Sequence, residues 1–145
     1  MRFQQLNRAD ADKVFIACRN ITGATVSAGI PVEWDVVTAT DGNSVTAAKS
    51  GSLTGLFAGV TNASMTDSAY GEIQVYGYRQ SAYISGASAG LAPGTLLQPT
   101  AGIFTDMTMS AATTSGHTRV ALFETIAASA AYSGTRQWNV FIRAL

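Results

Sequence analysis

Charge is scarce in this chain: 12% of the residues are Asp, Glu, Lys or Arg, against the roughly 25% usual in a soluble domain. Nine cations balance nine anions and neither sign is bunched. Counter-ion release onto a polyphosphate is therefore weak, and nucleic acid is not expected as a partner. Cysteine is scarcer still. Cys18 stands alone within Val14–Cys18, which excludes a disulfide inside the chain and leaves a buried, inert thiol as the expectation. With His117 as the one histidine, a single chain cannot assemble a zinc site of nitrogen and sulfur ligands or a histidine-based oxygenase site. Three copies placing His117 around an axis stay open, as does a calcium site near Asp41, Asn43 or Asp67, although no loop has EF-hand periodicity. No cofactor is expected. No apolar run approaches membrane-spanning length, and residues 1–8 carry no signal-peptide core, so the expectation is a chain without a membrane partner, made and folded in a reducing cytoplasm.

What is present is apolar and small. Hydrophobic residues make up 47% of 145 residues. At 15.1 kDa, area scaling gives about 7,000 Å² exposed when folded against about 22,000 Å² unfolded, enough burial for one core without staples. So little charge on the free surface points to a surface partly covered by copies of the chain or by a partner.

Short apolar or alternating segments cut by turn residues predict strands at 14–18, 31–37, 44–48, 56–60, 72–78, 82–85, 95–98, 102–105, 119–126 and 137–143. Asp41-Gly42 signals a hairpin, and Ala28-Gly29-Ile30-Pro31 and Ala92-Pro93-Gly94 break the chain before strands. The joint formed by residues 61–68 marks an antiparallel pair on either side. Val32, Trp34 and Val36 alternate with Glu33, Asp35 and Val37, so the former should pack inward and the two acids share a wet face. Residues 7–13 have the makings of one helical turn capped by Asn7. The fold class is all-β: a compact antiparallel β-sandwich or β-barrel with at most one or two short helices, residues 1–12 forming an N-terminal arm and 13–145 a single β-domain.

Candidate chemistry is thin. Gly86-Ala87-Ser88-Ala89-Gly90 fits the nucleophile elbow, yet Leu91-Ala92-Pro93-Gly94 cannot supply the helix that strains such a turn. A hairpin tip of small residues is the reading preferred, and no enzymatic activity is expected. Aromatic residues carry more. Tyr70, Tyr76, Tyr78 and Tyr83 fall in what reads as one hairpin region, and Tyr76 and Tyr78 share a face by period two. Such a strip serves sheet packing, a subunit contact or a sugar platform. In the last strand Trp138, Val140 and Ile142 alternate with Asn139, Phe141 and Arg143, so both faces carry an aromatic, as in a sheet interior or a contact with another subunit. Phe3 and Leu6, with polar residues between them, suit an arm lying on a partner. The candidate partner-binding residues are thus Phe3, Leu6, Tyr76, Tyr78, Trp138 and Phe141.

The succession Gly55–Val60, Ala69–Tyr78, Leu91–Pro99 and Asn139–Leu145 resembles small head proteins of tailed bacteriophages that act as decoration or cement proteins. The resemblance spans most of residues 14–145. It implies a compact, β-tulip-like domain, a homotrimer in many members, that sits on the capsid exterior, binds the major capsid protein and bridges neighbouring subunits. The family carries no catalytic residues. Two other readings remain: a virion surface module that contacts host glycans through the tyrosines, and a structural protein of the tail or neck.

Overall fold

The computed structural model describes residues 13–39, 41–47, 56–86, 96–106, 121–123 and 134–144. The helical turn expected over 7–13, Phe3, Leu6, Ser88 and His117 lie outside the described residues, apart from Lys13, which is not helical. Nine strands are described: β1 (Val14–Asn20), β2 (Pro31–Trp34), β3 (Ser44–Ala47), β4 (Phe57–Thr61), β5 (Tyr70–Gly86), β6 (Leu96–Thr100), β7 (Ile103–Asp106), β8 (Ala121–Phe123) and β9 (Gly134–Arg143). No α-helix occurs among the described residues. The chain is all-β.

Hydrogen bonding closes β1, β3, β2, β4 and β5 into a five-stranded barrel, with β1 returning to β5. The pairings are antiparallel except β1 with β3 and β5 with β7. β4 and β5 form the antiparallel pair expected across residues 61–68, with Val60 opposite Gln74 and Thr61 opposite Ile73. The segments expected separately at 72–78 and 82–85 are one strand of 17 residues. Arg79-Gln80-Ser81 contains neither glycine nor proline, so nothing there forces a turn. The strand instead takes a bulge: its register against β9 slips by one residue between Arg79 and Ala82. One extra residue inverts the side-chain alternation, so Ile73 and Val75 are buried before the bulge and Ala82 and Ile84 after it. β5 also joins β7, β6, β8 and β9 in a second closed circuit of pairings, with β9 along it from Tyr76 to Gly86 and β7 at Ile84.

Each circuit has its own core. Cys18, Val32, Val45, Ile73 and Val75 fill the barrel, whereas Ala82, Ile84, Leu97, Phe104, Val140 and Ile142 form the second cluster. β4 serves both, sending Ala58 into the barrel and Phe57 and Val60 into the second cluster. A bulge makes this possible, because the register with β2 passes from Gly59 opposite Val32 to Phe57 opposite Glu33. Gly59 holds φ at 151°, and a Cβ there would lie 2.5 Å from the Gln74 carbonyl oxygen, so only glycine lets β4 approach β5 this closely.

This stacking corrects two expectations. Glu33 does not share a wet face with Asp35: it is only 6% exposed, and its register partner is Phe57 of the second core. Val36 does not pack inward either. β2 ends at Trp34 because the Asp35 carboxylate accepts the N–H groups of Val37, Thr38 and Ala39, which turns the backbone out of the sheet.

Buried polar side chains stitch the loops to the barrel. The Asn20 amide donates to the carbonyls of Ala24, Met65 and Thr66 and accepts the Thr22 N–H. The Thr61 hydroxyl donates to the Ser27 carbonyl and accepts the Ile30 N–H. The Gln74 amide donates to the Tyr76 and Tyr78 carbonyls on an edge of β5 that no described strand covers there. Arg79 is the exception: it is 8% exposed, and its Nε has no hydrogen-bond partner among the described residues.

Candidate contact surface

β1 and β9 meet along β5 at Tyr76, which is the register partner of both Val14 and Arg143. Even-numbered residues of this part of β5 face away from Ile73 and Val75, so Tyr76 and Tyr78 share the outer face, as period two requires. Phe141, the register partner of Tyr78, lies on the same face. Its ring meets Tyr76 edge to face, with centroids 5.2 Å apart and planes at 82°. Tyr78 and Phe141 are half-buried, whereas Val14, Phe15 and Tyr76 are 41%, 39% and 37% exposed. Arg143 and Lys13 are exposed beside them. The Ala144 N–H donates to the Val75 carbonyl and fixes the end of β9, while Gln74 holds the backbone of Tyr76 and Tyr78. The rings therefore sit on a braced sheet.

Of the sequence candidates, Tyr76, Tyr78 and Phe141 come together. The backbone of Trp138 pairs with Ala82, farther along β5 and past the bulge. Phe3 and Leu6 lie outside the described residues. Tyr70 and Tyr83 belong to the same long strand rather than to a hairpin, Tyr70 being 66% exposed and Tyr83 half-buried. β9 is paired on both edges, to β5 and β8, yet only its Val140–Ile142 face is sealed in the core. The Phe141 face is the open one.

Val14 and Phe15 belong to this surface and were not singled out by sequence. An apolar run ending at Cys18 gives no sign that its first two residues stay exposed.

A second apolar surface lies on the β2–β3 hairpin. Val36 and Val37 are 54% and 87% exposed, and a cleft of about 310 Å³ beside them is lined by Trp34, Asp35, Val36, Gly42 and Leu56. The N–H groups of Ala39, Thr38 and Val37 hold the Asp35 carboxyl below the ordinary carboxylate range. The Asn43 N–H does the same for Asp41, helped by Ser44 and the nearby Arg19. Both carboxylates are thus ionised at neutral pH.

Among the described residues no cluster of three His, Cys, Asp or Glu side chains is placed to hold a metal ion. Cys18 is 1% exposed in the barrel core, and burial pushes its thiol up to about 11. Compared with known families and curated proteins, the chain matches no family model and no curated protein.

Proposed function

We propose that this chain is a structural virion protein, a decoration or cement protein that attaches to the outside of a tailed-bacteriophage head. It strengthens the shell by bridging neighbouring major capsid subunits, acting through contact and without turnover. The observation that carries the reading is the braced outer face of Val14, Phe15, Tyr76, Tyr78 and Phe141, apolar at its centre and cationic at its rim. Rigid aromatics at the middle of a patch with polar edges have the anatomy of a protein contact. The resemblance of the strand segments to head decoration proteins adds the partner class.

Each contact is worth a modest net free energy, because burial at roughly 25 cal/mol per Å² is offset by the cost of association. Repetition over a symmetric shell turns many such contacts into resistance to internal pressure. The candidate arm of residues 1–12 adds a second attachment to each copy.

The test is co-sedimentation of the purified chain with empty, expanded phage shells. Wild type should saturate them at a fixed ratio to the capsid protein. Tyr76→Ala, which removes an exposed ring, should weaken binding by roughly tenfold, the usual cost of losing an aromatic anchor. No binding to shells, or retention on a glycan array in its place, overturns the reading.

A further inference from the structure

The patch around Tyr76 and the hairpin around Val37 lie at opposite ends of β1. Val14 pairs with Tyr76 at one end; at the other, Arg19 pairs with Ser44 and donates its N–H to the Asn43 carbonyl, where the hairpin returns. Five extended residues separate Val14 from Arg19 by about 17 Å, so the two surfaces of one molecule do not touch.

Their chemistry is complementary. The patch is apolar with two exposed cations, Lys13 and Arg143. The hairpin presents two exposed valines beside an apolar cleft and carries two carboxylates, Asp35 and Asp41. It is also preorganised, since three N–H groups converge on Asp35 and ordering costs little on docking.

We propose that the hairpin of one copy docks on the patch of a second copy. Val36 and Val37 lie against Phe15 and Tyr76, and Asp35 and Asp41 face Lys13 and Arg143. Like surfaces pair less well: two patches set cation against cation, and two hairpins set Asp35 against Asp35, with only Asp41 having a nearby cation, Arg19. The contact is therefore heterologous, each copy giving a hairpin on one side and a patch on the other, and it closes into a ring where the rotation between copies allows. This self-contact uses the patch that the proposed function gives to the shell, so the two compete: it joins copies in solution, and a copy attached to a shell gives up the hairpin of its neighbour.

Two variants test it. Val37→Lys puts a cation on the hairpin against the cationic patch, and Val14→Asp puts an anion in the patch against the acidic hairpin. Both positions are exposed, and circular dichroism checks that each variant is folded. In sedimentation, wild type should run as an oligomer and each variant alone as a monomer, its self-association weakened at least tenfold. An equimolar mixture should form mixed complexes, because the intact hairpin of one variant meets the intact patch of the other. Recovery on mixing excludes misfolding as the cause of the loss. A monomeric wild type, wild-type mass in either variant alone, or a mixture that stays monomeric overturns the proposal. Shell binding separates the two readings: oligomers that never bind shells end the decoration reading alone, and a monomeric wild type that coats shells ends this one alone.

Discussion

Cys18 shows how one buried side chain links folding to solution conditions. It packs with Val32, Val45 and Ile73, and its thiol titrates at about 11 because burial penalises the thiolate. The ordinary value is 9.0. Below that pH both folded and unfolded chains hold the proton, and the contribution to stability is complete. Above it the unfolded chain releases its proton first, so stability falls as pH rises from about 9 to about 11. A shift of this size corresponds to a loss of about 3 kcal/mol. Urea denaturation at a series of alkaline pH values should show that decline in wild type and a shallower one in Cys18→Ala. Equal slopes in the two proteins would place the thiol in an environment no different from that of the unfolded chain. Burial of this cysteine was legible from its apolar neighbours. The burial of Glu33 was not: local alternation makes it look wet, whereas its register partner on β4, Phe57, belongs to the second core.

At the scale of the element, turns and periods were easier to read than phase. Asp41-Gly42 marks the β2–β3 hairpin and period two places Tyr76 and Tyr78 on one face, since both signals are local. The bulges in β4 and β5 are not local. Each depends on which residue of a distant strand it faces, and each moves the core to the opposite parity of side chains. Val36 failed for a related reason: apolar alternation runs on past Trp34, while the Asp35 carboxylate captures three N–H groups and ends the strand. The β4 bulge carries a sharp expectation. Gly59→Ala would place a methyl 2.5 Å from the Gln74 carbonyl oxygen in a backbone conformation that alanine avoids. Neither atom belongs to a flexible side chain, so β4 must move away from β5 and loosen both clusters that it fills. A loss of roughly 2–4 kcal/mol is expected in urea denaturation. A loss no larger than that of an ordinary surface substitution would mean that β4 and β5 are not held this close.

For the molecule as a whole, the decisive feature is that two closed circuits share one strand. Nothing in the composition or periodicity distinguishes one core from two, because the division arises from pairings between strands far apart in the chain. The sharing has an energetic consequence. β5 contributes Ile73 and Val75 to the barrel core and Ala82 and Ile84 to the second core, and β4 contributes to both. Opening either circuit removes a wall from the other, so they should unfold as a single cooperative unit. Amide hydrogen exchange tests this on Ile73 and Ile84, both fully buried and each paired on both sides of the strand. The two amides should exchange with the same free energy, equal to that of global unfolding. Ile73→Val removes one methyl from the barrel core alone, at a cost of about 1 kcal/mol. If the circuits are coupled through β5, that substitution lowers protection at Ile84 by as much as at Ile73. Should only the barrel amides respond, β5 would be a hinge between independent units, and a shell-binding protein built this way would yield under load at the bulge between Arg79 and Ala82.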